Sequence, residues 1–312
     1  MSRLTENKIV LIVRRTRLDE LVAQFNTEAQ AQFYVEHLGA DFSDYKKEDK
    51  TYKSSLQLAQ QSLSLLGRVH LIDRSYVPNF IFGRADTIVV LGQDGLVANV
   101  LKYLDGQVVV GVNPDPSRWE GVLLPFVVAD LPKIIPEVFS KGRTTRKVTM
   151  AKAELNNGQV LYGVNDIFIG PKSHTSARYS LQIGKHSEDQ SSSGIIISTG
   201  LGSTGWLRSI IAGSAGIASR ITGKELKIKE TGNFAWDANY LYFSVREPWP
   251  SKTSSAGTTF GKITQDNPLR LVSHMAESGV IFSDGIEHDF VEFNSGTLAT
   301  VTVADKKGLL VS

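Results

Sequence analysis

Thr87-Ile88-Val89-Val90-Leu91-Gly92-Gln93-Asp94-Gly95-Leu96 decides how the N-terminal half folds. Its apolar, β-branched start spells a buried strand, a glycine turn follows at once, and Leu96 to Leu104 carry helical spacing. A strand that runs through a glycine turn into a helix is the unit from which parallel sheets are wound. Such a turn lets backbone N–H groups approach an anion closely, and the helix behind it adds the positive end of its dipole. Asp94 is out of place in a phosphate cradle, because its carboxylate repels phosphate. It suits either a base that takes a proton from an attacking hydroxyl or the cap of an ordinary helix.

The same alternation extends to both sides of this stretch. Ile9 to Val13 form a first strand, and Thr27 to about Leu38 a helix, with Thr27 and Gln30 at capping-box spacing and Gly39 as a stop. Tyr52, Leu56, Ala59, Leu63 and Leu66 lie on one face of a further helix ended by Gly67, and strands follow at Val69 to Ile72 and Val108 to Val112. After a linking helix at Leu131 to Phe139 and the basic stretch Lys141 to Lys147 the character changes. Strand patterns recur at Val148 to Leu155, Val160 to Val164, Tyr179 to Ile183, Ile195 to Ile197, Leu241 to Val245, Leu269 to Val272, Val280 to Ser283, Phe290 to Phe293 and Ala299 to Val303. Asn157-Gly158 marks a hairpin, Ser187 to Ser193 reads as a mobile loop or hairpin tip, and one helix runs from about Ser203 to Arg220. The expected fold is α/β plus all-β: a Rossmann-like parallel α/β domain over residues 1–130 and a mostly antiparallel, β-sandwich-like domain over residues 131–312.

Composition narrows the function. The 312 residues suffice for two cores, and 34 basic against 32 acidic side chains, in no long single-sign block, do not point to nucleic acid. The absence of cysteine removes disulfides, thiolate zinc sites and thiol catalysis, and His174 and His186 show no spacing with a third metal ligand. The run Ile9 to Val13 is too short for a signal-peptide core or a spanning helix, so a cytoplasmic protein without a membrane partner is expected.

Three further segments carry polar chemistry. Asn165-Asp166, between strand-like runs, can hold ribose hydroxyls or a hydrated metal ion, or can simply make an Asx turn. Thr199-Gly200-Leu201-Gly202-Ser203-Thr204-Gly205 crowds small residues before Trp206. The hydroxyls of Thr199, Ser203 and Thr204 can bond a nucleobase or its sugar while Trp206 stacks on it or sits in the core. Arg178, His174 and Arg208 can meet phosphate, and Asp284-Gly285 reads as a turn between strands.

Taken in order, GQDG, VNDIF, STGLGSTGWLRS and SDG resemble the NAD kinase family, in its divergent mitochondrial-type branch and related bacterial proteins, some labelled sugar kinases. The resemblance implies an α/β domain and a β domain with ligand between them. It implies Asp94 as the base for the 2′-hydroxyl of the adenosine ribose of NAD, and Gly92 and Gly95 lining phosphates. Asn165 and Asp166 would grip ribose hydroxyls, and Thr199, Gly202, Ser203 and Thr204 would form part of the dinucleotide pocket; Trp206 and Arg178, read from the residues alone, are further nucleotide-binding candidates. The transferred group would be the terminal phosphoryl of ATP or polyphosphate with Mg²⁺, the product NADP, and the protein a homodimer or homotetramer. Against the family pattern Gln93 replaces a glycine, Leu96 a threonine, Asp166 a glutamate, and Gly200-Leu201 a Pro-Thr pair. A lipid or sugar kinase of the same superfamily, or a nucleotide-sensing protein without turnover, are the alternatives.

Overall fold

Alternating burial on both faces of a short parallel sheet organises the N-terminal unit. In the computed structural model, which describes residues 3–225 and 233–312, the chain divides into Met1–Arg146 with Leu309–Ser312, and Lys147–Gly308. In the first unit β1 (Lys8–Val13) leads into α1 (Arg17–Phe25), α2 (Glu28–His37) and α3 (Ser43–Leu66). There follow β2 (Arg68–Asp73), β3 (Thr87–Leu91), α4 (Asp94–Leu101), β4 (Val108–Asn113), β5 (Phe126–Val127) and α5 (Leu131–Phe139). Ile9, Leu11, Val89, Leu91 and Val110 pack one sheet face against Ala59 and Leu63 of α3 and Leu131, Ile134 and Ile135 of α5. The alternate residues Val10, Ile12, Ile88, Val90 and Val109 are equally buried, and α4 contacts β3 and β4. A sheet buried on both faces needs continuous apolar strands, which is what these are.

The strand order is β2-β1-β3-β4, all parallel. The chain therefore winds one way from β1 to β2 and the other way to β3, so the switch in direction falls between the carboxyl ends of β1 and β3. Open α/β sheets bind their ligands at such a point. There the buried Tyr52 of α3 sets its hydroxyl between the two strand ends: it accepts from Arg14 N–H at 3.0 Å and donates to Leu91 C=O at 3.1 Å. Burial pushes this phenol up to about 12.

Two features of this unit differ from the sequence expectation. The unit extends to Arg146 because α5 packs in the same core as α3, where residue 130 was expected as the boundary. A helix unread in the sequence, α1, begins in a capping box: Thr16 Oγ1 accepts from Asp19 N–H and Asp19 Oδ2 from Thr16 N–H, both at 3.1 Å. Thr27 caps α2 by accepting from Gln30 N–H at 3.2 Å.

The second unit is a sandwich of two sheets. The first holds β6 (Thr145–Leu155), β7 (Val160–Gly163), β9 (Ala177–Ile183), β10 (His186–Ser192), β14 (Leu269–Ser273) and β17 (Leu298–Val311). The second is antiparallel throughout, in the order β13 (Phe260–Ile263), β12 (Leu241–Val245), β11 (Ile195–Ser198), β8 (Asp166–Pro171), β15 (Gly279–Ser283), β16 (Ile286–Glu292). Ile167, Ile169, Ile195, Ile197, Phe243 and Ile281 fill the space between the sheets with Tyr179, Leu181, Leu269 and Leu271. On the outer face Phe168, Ile196 and Val280 pack with Trp206 and Ile210 of α6 (Trp206–Thr222).

The serine-rich stretch read as a mobile loop or hairpin tip is strand β10, one arm of a hairpin paired along its length with β9. Its polarity misled because two of its inward side chains are polar yet satisfied: Gln190 and Ser192, both buried, bond the Tyr179 hydroxyl at 2.9 and 2.8 Å. The hairpin at Asn157-Gly158 exists, with Gly158 at φ +84°. Among the described residues no helix is long and apolar enough to cross a membrane.

Tyr52→Phe keeps the ring and leaves the Arg14 N–H and the Leu91 carbonyl without their shared partner. The expected cost is about 1–3 kcal/mol in denaturant unfolding. A loss under a few tenths would show that these groups pair without the hydroxyl.

Candidate functional site

Each unit carries a glycine turn with a carboxylate, and the two are built differently. In the first, α4 opens directly after β3 with Gln93 as N-cap, without a side-chain bond. Asp94 is thus the first helical residue instead of the cap. Its carboxylate reaches the turn after β4, where Oδ1 accepts from Leu123 N–H at 2.7 Å and Oδ2 from Val122 N–H at 3.2 Å. That turn is shaped by Gly121 at φ +67° and by Asn113, which donates to Trp119 C=O at 2.9 Å and accepts from Asp115 N–H at 3.0 Å. These bonds fix the orientation of Asp94 and leave each oxygen a lone pair for a further donor. Beside Gly95 the space a Cβ would fill is open. At Gly92 an added Cβ would meet the Leu96 Cδ2 at 2.8 Å, and Leu96 is buried. The position that carries a hydroxyl in the family pattern is here a core side chain folded under the turn.

In the second unit one carboxylate organises everything else. Asp284 and Gly285, both at positive φ (+56° and +72°), make the two-residue turn between β15 and β16. Asp284 Oδ1 accepts from the N–H groups of Val164 (3.0 Å), Asn165 (2.6 Å) and Asp166 (3.3 Å), Oδ2 from Val164 at 3.1 Å, and Asp284 N–H donates to Asp166 C=O at 3.0 Å. The corner so formed receives the glycine loop. Thr199 N–H donates to Asn165 C=O at 3.0 Å, Thr199 Oγ1 donates to Val164 C=O at 2.5 Å and accepts from Gly202 N–H at 3.2 Å. Ser203 Oγ donates to Gly200 C=O at 2.7 Å.

Two glycines of this loop are required by close approach. A Cβ on Gly200 would lie 1.9 Å from Ala235 O and one on Gly202 would lie 2.1 Å from Asn165 O. Thr199 and Ser203 are fully buried, so their hydroxyls close the loop on itself, whereas the sequence reading offered them to a nucleotide. Thr204 and half-buried Asn165 remain accessible. Asp166 Oδ1 is buried with no hydrogen-bond partner. Burial pushes this carboxyl up to about 7; the neighbouring Ser198 hydroxyl opposes the rise and the charge of Asp284 adds to it.

Trp206 follows the loop and lies half-buried, stacked on Phe168 with centroids 6.0 Å apart and planes 8° apart, with the Arg246 guanidinium 5.4 Å from its ring. It borders two cavities on the outer face of the second sheet. One of about 910 Å³ lies beside Ile210, Ile217, Tyr242 and Phe260. The other, of about 690 Å³, lies beside Lys172, His174, Phe282 and Phe290. Arg178 is exposed on β9 in the other sheet and makes no part of the Asp284 cluster. Arg208 is likewise exposed on α6. Among the described residues no three His, Asp or Glu side chains are grouped to hold a metal ion. The sequence reading took Asp284-Gly285 as a turn between strands, as found, but gave its carboxylate no role; an Asp-Gly pair directly after a strand is the available signal.

An unfolded aspartate ionises near 3.8 and Asp166 near 7, so the native state holds the extra proton between these values and stability falls as pH rises through that window. Asp166→Asn removes the titration. The variant is expected to exceed wild type by roughly 1–4 kcal/mol at pH 8, with the gain vanishing by about pH 4. Urea unfolding at several pH values measures this, and an offset independent of pH would contradict it.

Two solved structures are similar to this chain over nearly all its length. The NAD kinase from Archaeoglobus fulgidus in complex with ATP is 14% identical at a TM-score of 0.54, covering 98% of this chain and 93% of that one. The yeast NADH kinase complexed with NADH is 15% identical at a TM-score of 0.57, covering 99% and 84%. No protein-family model and no curated protein matches the sequence. At these identities the likeness establishes the fold: this chain folds as those two NAD kinases do.

Proposed function

We propose that the protein is an NAD kinase-like phosphotransferase that moves the terminal phosphoryl of ATP to the 2′-hydroxyl of the adenosine ribose of NAD, giving NADP. The observation that carries this reading is the buried, partnerless Asp166 Oδ1 beneath a glycine loop. A buried acceptor with no donor costs free energy until one arrives, and a ribose hydroxyl is such a donor. Asn165 beside it supplies both a donor and an acceptor for a second hydroxyl. The glycine loop brings backbone close without side-chain bulk, and the fold is that of proteins whose crystals hold ATP and NADH.

In the reaction the ribose 2′-oxygen attacks the γ-phosphorus, the bond from that phosphorus to the β–γ bridging oxygen breaks, and ADP leaves. Asp94 takes the hydroxyl proton. Its two backbone bonds hold the carboxylate in place, and incoming phosphate charge would meet the positive end of the α4 dipole. Magnesium would enter as MgATP, held by the donor's own phosphates, and would supply charge neutralisation to the transition state. The same two bonds to Asp94 favour a second reading, in which its role is structural and the protein binds nucleotide without turnover.

Purified protein incubated with NAD and MgATP is expected to form NADP, measured by an enzymatic cycling assay, and Asp94→Asn to lower the rate by about 10²–10⁴. Folded wild type that forms no NADP sinks the kinase reading. Thermal stabilisation by NAD without turnover would support the sensor, and an unaffected Asp94→Asn variant would remove that residue from the chemistry.

A further inference from the structure

At the switch point of the first unit the residues from β3 supply a carboxylate, an amide and two glycines, but no cation. The residues from β1 supply three arginines in four positions, Arg14-Arg15-Thr16-Arg17. Two of these are committed elsewhere. Arg14 Nη2 bonds the buried Glu48 at 2.9 Å, and Arg17 bonds Glu48 and, at 2.7 Å, Asp44. Arg118, from the turn after β4, takes Asp44 as well, at 2.6 and 3.0 Å. Hydrogen bonds from Arg118 and Arg17 hold the Asp44 carboxyl well below the usual range. At Glu48 burial works upward, but the two arginines outweigh it and the net shift is down. Thr16 is fully buried, donating to Asp49 at 2.6 Å while it caps α1.

Arg15 is the exception. It is exposed, and among the described residues no acceptor reaches its guanidinium. The segment around it is nevertheless fixed on both sides by the bonds just described. Its place along the sheet follows from the ladder: Ile12 pairs with Val90, and Arg15 and Gln93 each lie three residues further on. Tyr52 ties these same two strand ends together through Arg14 N–H and Leu91 C=O. Arg15 therefore lies in the short link that leaves the carboxyl end of β1, the strand beside β3, at the edge where the sheet changes winding direction.

We infer that Arg15 binds the phosphate chain of the donor. This rests on the phosphotransferase reading for the identity of the donor, though the binding itself can be measured without turnover. A polyanion drawn to the first turn of α4 meets the Asp94 carboxylate there, and a guanidinium is the group that offsets this repulsion while donating to phosphate oxygens in a planar fork. Leu96, buried under the turn, contributes nothing to that task, so the chain takes its donor contact from the neighbouring strand.

Calorimetric titration with MgATP, and separately with magnesium tripolyphosphate, tests the assignment in wild type, Arg15→Ala, Arg15→Lys and Arg84→Ala. Arg84 is an exposed arginine just before β3, at the opposite end of the sheet from the turn into α4, and controls for loss of one positive charge. Arg15→Ala, its fold checked by circular dichroism, is expected to weaken both ligands about 10-fold or more, and Arg15→Lys less. Arg84→Ala and the affinity for NAD are expected to stay within about 2-fold. Unchanged MgATP binding in Arg15→Ala overturns the inference, as does a loss for MgATP without a loss for tripolyphosphate, or a wild type that binds neither. The kinase reading fails separately: wild type without NADP formation, but with Arg15-dependent polyphosphate binding, leaves the role of Arg15 intact. NADP formation with an unaltered KM for ATP in Arg15→Ala does the reverse.

Discussion

The carboxylate of Asp284 is the interaction on which the candidate dinucleotide site depends. Three successive backbone N–H groups, from Val164, Asn165 and Asp166, converge on it. Consecutive N–H groups point the same way only where the chain turns sharply, and an acceptor with several lone pairs on one small group is what holds such a corner. Once the corner is set, the carbonyls of Val164 and Asn165 face the glycine loop and take the hydroxyl and the N–H of Thr199. The approach is then so close that positions 200 and 202 admit no side chain. The same carboxylate raises the cost of ionising Asp166, whose neighbour it is. One residue thus sets the shape of the site and adds to the electrostatic strain that burial imposes on Asp166.

The first unit solves the matching problem with a neutral group. Its switch point opens where β1 and β3 part, and a hydroxyl can accept from one strand and donate to the other, which a carboxylate cannot. Tyr52 brings that hydroxyl from α3 with its ring buried. The charges nearby come in compensating sets, Arg14, Arg17 and Arg118 against Glu48 and Asp44, so that the loops after β1 and β4 converge on the first turns of α3. Of these pairs only Arg14 with Glu48 is buried on both sides. A buried pair gains little net stability but strongly penalises any arrangement that separates it, which suits the fixing of the β1 loop. The exposed Asp44 pairs tether the β4 loop more weakly.

Much of this was legible in the sequence. Strands β3 and β12 and helix α5 lie at the expected residues, because continuous β-branched runs and a strong apolar stripe leave little choice. The order of motifs pointed to the fold that the two NAD kinase structures share. The helix α1 went unread although Leu18, Leu21, Val22 and Phe25 have helical spacing, since that small stripe packs only against α2 and the start of α3, in a satellite cluster. Strand β10 read only as a loop or hairpin tip because its pairing rests on backbone bonds and on two polar side chains answered by Tyr179. What no local pattern reveals is which hydroxyl meets which carbonyl: Thr199 and Val164 are brought together by the pairing of β11 with β8 and by Asp284, far along the chain.

That last point bears on what a loop of small hydroxylated residues does. Read as sequence, Thr199, Ser203 and Thr204 are equal candidates for a ligand. In the structure two of them have already found backbone partners and lie at zero exposure. Their bonds hold the loop against the 164–166 corner and leave the partnerless oxygen of Asp166 as the strongest unmet demand in that corner. A rigid loop that satisfies itself does not compete with its ligand for hydrogen bonds and loses little entropy when the ligand arrives. Selectivity then falls to the few groups left unanswered, and a buried acceptor that lacks only a donor discriminates against any molecule without a hydroxyl at that position.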